Sequence, residues 1–280
     1  MIILTVVLVI YNENITKTSS YNSFINCFEK FPYYNTFVNL IIYDNSLEPQ
    51  YCPKSNIKNV TYFHDKNNSG VCGAYNFALS MANNYSSKWM LLLDQDTIFD
   101  YFFLQNLLND ISSTKPEIVC IIPTAYNAEK TIISPYISKL GGRYTPLNFL
   151  NDYNKNIYAI NSGSTIRVNF LNEISGFNKL FWLDQLDHWL FKTISIRNKE
   201  IYISKNIIYH NISIFNLKNI SLFRYSNMLD AEILFNKEYT SVKSYMFFKF
   251  LLLFRVFKFL FFKKRPDLAK YTFLKFLNFE

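Results

Sequence analysis

The chain has 280 residues, of which 50% are hydrophobic, 19% aromatic and 18% charged. That length supports one large core with an appendage, and so much apolar material excludes disorder as the main state. Residues 243 to 275 hold nine basic side chains against one acid, a local excess equal to the net charge of +8, so only the tail is built to meet an anionic partner and nucleic-acid binding is not indicated.

Residues 2 to 10 form an apolar, β-rich run without a basic leader or small-residue cleavage site, so they read as a first strand and not a signal peptide. Further runs at 37–43, 60–63, 88–93 and 118–122 alternate with helical stretches, the spacing of βαβ units around a mostly parallel sheet. In open α/β sheets ligands bind beyond the carboxyl ends of the strands. There the chain reads Tyr11-Asn12-Glu13-Asn14, Asp44-Asn45-Ser46, Asp65-Lys66-Asn67-Asn68-Ser69-Gly70 and Asp94-Gln95-Asp96-Thr97. Each loop alone is ordinary turn and cap chemistry; four carboxylate-bearing loops at one sheet edge point to a site. Between the third and fourth runs, apolar residues at 71, 74, 77, 78, 81 and 82 mark one face of a helix over Gly70 to Ala82, whose N-terminus offers backbone N–H groups to a phosphate. Cys27, Cys52, Cys72 and Cys120 lie apart without a C-x-x-C pair, which indicates reduced thiols. Six N-x-S/T sequons in an Asn-rich chain are not read as glycosylation sites.

Further along come NSGSTI at 161–166, Gly176-Phe177, and FWLDQLDHWL at 181–190. Asp184 and Asp187 share a face if that last segment is helical. An apolar run then leads into His210.

The strand into Tyr11-Asn12-Glu13, the Asp44-Asn45-Ser46 turn, NNSGVCGAYN at 67–76, LLLDQDT at 91–97 and the motifs after them together resemble family 2 glycosyltransferases of the GT-A fold. The D-Q-D form of the D-x-D motif is similar to the bacterial rhamnosyltransferase branch. The resemblance covers about residues 1 to 240. It implies an α/β, Rossmann-like architecture with a mostly parallel central sheet flanked by helices, a nucleotide-binding half at 1–125 and an acceptor-binding half at 126–240. It implies that Asp44 hydrogen-bonds the nucleobase, that Tyr11 and Glu13 line the base and ribose pocket, and that Asn76 joins the donor-binding set. Asp94 would face the ribose and a divalent metal, Mg²⁺ or Mn²⁺, with Asp96 as direct ligand and His210 as a further one; a hydrogen-bonded histidine at a strand end is the alternative for His210. A hard cation on carboxylate oxygens neutralises charge on a leaving diphosphate.

An inverting transfer also needs a base beside the acceptor hydroxyl. Asp184 and Asp187 are the candidates, because Gln185 stands where many family members carry the base; Asp187 is favoured, and a cap or surface acid is the alternative for either. Arg224, in SLFRYSN, would approach the donor diphosphate. The implied activity is metal-dependent transfer of a sugar, L-rhamnose from dTDP-rhamnose being expected among dTDP- or UDP-linked donors, to a lipid-linked glycan in O-antigen or capsule synthesis. A HAD-type phosphatase also begins with a strand and D-x-D, but Thr97 follows Asp96 directly and some 90 residues precede it. A non-catalytic module of the same fold is opposed by intact Asp94, Asp96, Asp184 and Asp187.

The tail, 241–280, contains YMFFKFLLLFRVFKFLFF at 245–262, 15 apolar or aromatic residues broken by Lys249, Arg255 and Lys258. Its apolar residues favour insertion by roughly −4 to −9 kcal/mol, while Arg255 and Lys258 cost about 5 to 7. The balance near zero suits a helix lying in the headgroup plane of an anionic membrane, at the inner face of the plasma membrane of a cytoplasmic protein. A helix packed into the core, or a dimer seam through the C-terminal helices, is the alternative.

Overall fold

The computed structural model describes residues 2–53, 56–140, 143–147, 157–210 and 220–277. The chain divides into two compact units, Met1–Tyr136 with Pro146–Asn211, and Ile137–Thr145 with Ile212–Glu280. The last three helices therefore group together, and the division falls after Asn211 instead of at 240.

The first unit starts with β1 (Leu4–Ile10), α1 (Ser19–Lys30), β2 (Val38–Asp44), β3 (Val60–His64), α2 (Gly70–Asn84) and β4 (Trp89–Asp94). It continues through β5 (Ile98–Phe99), α3 (Phe103–Ser113), β6 (Ile118–Tyr126) and β7 (Ile132–Ser134). The short neighbouring strands β8 (Tyr136–Lys139) and β9 (Arg143–Pro146) fall mostly in the Ile137–Thr145 stretch that groups with the second unit, and the first unit resumes with β10 (Ile157–Tyr158), β11 (Thr165–Arg167), α4 (Val168–Glu173), α5 (Leu186–Ile196) and β12 (Glu200–Tyr209). The main sheet runs β3-β2-β1-β4-β11-β6-β12-β5, with β7 on β6. Strands β3, β2, β1 and β4 are parallel, as are β6 and β12, whereas β11 runs antiparallel between β4 and β6.

Every residue of β1 and β2 is buried, the continuous apolar pattern of strands covered on both faces. Leu4, Val6, Leu8 and Ile10 pack with Phe24, Cys27 and Phe28 of α1 and Leu104 and Leu107 of α3. The buried residues Ala74, Tyr75 and Ala78 belong to α2, which packs on β1 and β4. Each such large apolar side chain contributes about 1.5–3 kcal/mol by leaving water. This layering places the ends of β1, β2, β4 and β12 at one rim.

The second unit holds α6 (Leu222–Tyr239), α7 (Val242–Phe257) and α8 (Pro266–Leu277), with a π-helical turn at Lys258–Phe262 after α7. Tyr225, Leu229, Phe248, Leu252, Phe259, Leu268 and Ala269 form its core. Arg255 makes a two-pronged ion pair with Glu232 at 2.7 and 2.8 Å, and Lys275 meets Asp230 at 2.9 Å. Arg255, counted from sequence as a cost of membrane insertion, thus uses its guanidinium to bind α7 to α6. No helix among the described residues is long and apolar enough to cross a membrane. The outer side of α7 and the π turn exposes Met246, Phe250, Phe254, Phe257 and Phe261, spaced at the three- and four-residue intervals of one helical stripe.

Candidate active site

The D-Q-D-T turn after β4 is held from three sides. The Ser20 hydroxyl, at the start of α1, bonds the Asp94 carbonyl, donates to the Thr97 carbonyl at 3.0 Å and accepts from the Thr97 N–H at 3.0 Å. The Ser162 hydroxyl accepts from the Asp94 N–H at 3.0 Å and meets the Thr97 hydroxyl at 2.6 Å. The Tyr11 N–H donates to Gln95 Oε1 at 2.8 Å, tying the end of β1 to the same turn. Ser20 and Ser162 were not singled out as site residues from sequence; Ser162 at least lies in the NSGSTI motif.

So held, the two carboxylates stand at the rim with side chains 33% (Asp94) and 39% (Asp96) exposed. His210, just past β12, joins them: Nδ1 lies 3.2 Å from Asp96 Oδ1 and 3.0 Å from the Thr97 hydroxyl, and Nε2 lies 4.0 Å from Asp94 Oδ2. The imidazole thus faces one carboxylate with each nitrogen, and among the described residues no three such groups already form a metal-ligand set. The donor chemistry nonetheless fits a hard divalent ion. Two carboxylates and an imidazole supply its preferred atoms, and the 4.0 Å between Nε2 and Oδ2 is about twice the 2.0–2.1 Å bond such an ion makes. Crowding by protein around Asp94 is the largest influence on it and pushes its carboxyl up to about 6; His210 opposes this, and the charges of Asp96 and Asp187 add to it.

Asp187 is therefore within electrostatic reach of Asp94. It lies in the first turn of α5, where its Oδ1 accepts from the His188 N–H at 2.8 Å and meets His188 Nδ1 at 2.8 Å. Burial pushes its carboxyl up, but the His188 side chain and N–H groups outweigh that and hold it below the usual carboxylate range. Asp184 does not share the helix face: α5 begins at Leu186, and the preceding Gln185 takes a left-handed φ of 62° that breaks the segment between the two acids. The rest of that segment docks on α2. The Trp182 carbonyl accepts from the Cys72 N–H at 3.1 Å, and a Cβ at Gly70, where φ is +70°, would sit 2.3 Å from that carbonyl oxygen. The Gly73 N–H makes the first intrahelical bond, to the Ser69 carbonyl, so of the early N–H groups of α2 that of Cys72 is the one engaged by the neighbouring segment.

Two further expectations meet a different geometry. Asp44 is fully buried; its oxygens accept from the Ser46 and Gln50 N–H groups at 2.9 and 2.8 Å and from the Tyr62 hydroxyl at 2.6 Å. It anchors the loop after β2 and does not present an open oxygen to a base. Both polar atoms of the Asn76 side chain clasp the backbone of Phe177 at 2.9 Å, so it fixes the Gly176-Phe177 turn to α2. Tyr11 is 52% exposed and Glu13 is exposed past β1, both at the rim. His64 Nε2 meets the Ser46 carbonyl at 2.8 Å, and Arg224 lies in the first turn of α6, in the second unit. A cavity of about 330 Å³ bounded by Thr114, Lys115, Glu200 and Tyr202 opens at the start of β6 and β12, the opposite sheet edge.

A sheet with this strand order, carrying acids at one rim, is an open α/β fold. The model for "Glycosyl transferase family 2" matches residues 5–175, more than half of the chain, which belongs to that family. The structure of GalNAc-T7 with UDP, GalNAc and Mn²⁺ is similar with a TM-score of 0.60 at 11% identity, covering 99% of this chain and 56% of that one. TarS of S. aureus gives 0.55 at 14% identity, covering 93% of this chain and 44% of TarS; these likenesses show the GT-A fold. A curated relative, the outer membrane protein assembly factor BamA of Buchnera aphidicola, is 27% identical over 184 residues, 59% of this chain and 29% of BamA. The chain thus spans less than a third of that relative and less than half of TarS, and the BamA likeness assigns neither fold nor function.

Proposed function

We propose that the chain is an inverting glycosyltransferase that moves a sugar from a nucleoside diphosphate to a lipid-linked glycan. The observation that carries the reading is the meeting of Asp94, Asp96 and His210 at the ends of β4 and β12, with Asp187 close enough to be felt by Asp94. Asp94, Asp96 and His210 would hold a divalent ion, which when bound neutralises negative charge growing on the departing diphosphate. Tyr11 and Glu13 line the base and ribose side, while Asp44 acts behind them by fixing the 46–50 loop. Asp187 is preferred over Asp184 as base because its charge reaches Asp94 and its carboxyl is held ionised. It takes the acceptor hydroxyl proton as the acceptor oxygen bonds the anomeric carbon; the bond from that carbon to the diphosphate breaks, and its electron pair leaves with the nucleoside diphosphate. L-rhamnose from dTDP-rhamnose is the proposed donor, on the strength of the D-Q-D motif, and surface polysaccharide synthesis is the setting.

The second unit is proposed to rest on an anionic membrane, where a lipid-linked acceptor resides. Its exposed aromatic stripe supports this, as do Lys243, Lys258, Lys263, Lys264 and Lys270, which make no ion pair among the described residues. Attachment would be peripheral, at the inner face of the plasma membrane.

The test is release of nucleoside diphosphate from a panel of nucleotide sugars, dTDP-rhamnose first, with and without Mn²⁺. Asp96→Asn is expected to remove metal-stimulated turnover by about a thousandfold, equivalent to about 4 kcal/mol of barrier, with an unchanged circular dichroism spectrum. Full turnover in that variant overturns the metal-site reading.

A further inference from the structure

The base acid of α5 is not held like an ordinary first-turn carboxylate. One oxygen of Asp187 receives both the His188 N–H and the His188 ring, each at 2.8 Å; among the described residues no hydrogen bond reaches the other oxygen, Oδ2. The ring that does this has little freedom of its own. Its side chain is 12% exposed, and its centroid lies 6.0 Å from that of Tyr136 and 5.9 Å from that of Tyr158. Those two tyrosines are buried and stack at 6.1 Å with planes 10° apart. The Tyr136 hydroxyl approaches His188 Nε2 at 3.5 Å.

The pattern of partners selects a tautomer. Asp187 accepts, so Nδ1 carries a proton, and the Tyr136 hydroxyl lies on the Nε2 side of the ring. A ring that donates from Nδ1 steers the carboxylate, which inverts the familiar arrangement in which an acid orients a histidine base. Asp94 of β4 and Tyr75 of α2 lie within electrostatic reach of Asp187. Tyr75 is fully buried, and among the described residues its hydroxyl has no hydrogen-bond partner.

We propose that His188, clamped between Tyr136 and Tyr158, is the positioning residue of the transfer: it ties Oδ1 of Asp187 and turns Oδ2 to the acceptor hydroxyl. The assignment rests on the reading of Asp187 as the base. It makes His188 part of the acceptor side of the site, where proton removal occurs, and gives it no share in donor binding.

Two variants of the full chain separate positioning from packing. His188→Phe keeps a ring against Tyr136 and Tyr158 and removes both nitrogens; His188→Asn restores a donor near the place of Nδ1. With Mn²⁺ and the nucleotide sugar that the parent chain turns over, His188→Phe should lower kcat at least tenfold while KM for the donor stays within twofold. His188→Asn should recover most of the loss. Unchanged kcat in His188→Phe overturns the proposal, as does a loss that raises donor KM equally and is not rescued by Asn. Independently of turnover, the ¹⁵N spectrum of the parent imidazole should show the Nδ1-protonated form, and an Nε2-protonated ring overturns the clamp. A parent chain that binds no nucleoside diphosphate and cleaves no nucleotide sugar overturns the transfer reading itself, and the positioning role with it.

Discussion

Asp44 shows how a residue type can be read correctly from its place and still meet a different task. An acid after a buried strand must find donors, because burial of an unpaired carboxylate is costly. Here the donors are the Ser46 and Gln50 N–H groups and the Tyr62 hydroxyl, all within the chain. Burial raises the Asp44 carboxyl, yet these bonds win and leave it lowered. The sign of the consequence is fixed. A depressed folded value means that the stability from this group is full above the ordinary value of 3.8 and fades as pH falls through the lowered one. Asp44→Asn should therefore cost about 1.5–3 kcal/mol near neutrality, the range for hydrogen bonds to a charged group, and its melting temperature should fall less steeply than the parent's on acidification from about pH 5 to about pH 3. Parallel curves for the two proteins would contradict this. Residues of this kind were legible only in part. The carboxylates of the D-Q-D turn announce themselves because no short-range partner explains them, whereas the tasks of Asp44 and Asn76 are set by Tyr62 and Phe177, the latter 101 residues away.

Elements followed the same division. Strands β1, β2 and β4 and helix α2 were legible because strands covered on both faces read as unbroken apolar runs and because a 3.6-residue period survives in α2. The start of α5 was not, since a left-handed Gln185 has no pattern to betray it. The C-terminal helices were hidden for an electrostatic reason. Arg255 in an apolar run looks like an interruption until Glu232, 23 residues earlier, supplies its partner. The two-pronged geometry links α6 to α7 in a largely apolar setting. Removing one partner there leaves an uncompensated charge, so Glu232→Ala should destabilise the α6–α7 pairing by about 3–5 kcal/mol, whereas Glu232→Leu with Arg255→Met should be close to neutral. Hydrogen exchange of α7 amides measures both; equal protection in the single variant and the parent would refute the link.

At the scale of the whole molecule, charge and grease are concentrated in the second unit. Arg255, Arg265 and Lys275 neutralise acids of their own unit, which leaves Lys243, Lys258, Lys263, Lys264 and Lys270 for the proposed anionic surface. The aromatic stripe carries the larger free energy: a buried Phe contributes about 1.5–3 kcal/mol. Phe254→Ser with Phe261→Ser, at positions 69% exposed in each case, should reduce partitioning onto phosphatidylserine vesicles at least a hundredfold with little change in melting temperature. Salt alone, which screens the lysines within about 8 Å at physiological strength, should weaken binding without abolishing it. Undiminished sedimentation of the double variant with vesicles would reassign the stripe, and loss of a dimer in the same variant would give it to a second copy of the chain.

The reversed strand β11 also sets a timetable. It lies between β4 and β6 although both precede it in the chain, and His210 follows later still. A ribosome that has just released Asp94 and Asp96 must translate roughly a hundred further codons, about 5 to 20 seconds at common elongation rates, before the turn around them can be locked. Until then the nascent sheet has an unfilled slot at β4, an adhesive edge of the kind that chaperones guard and that premature termination would leave open for good.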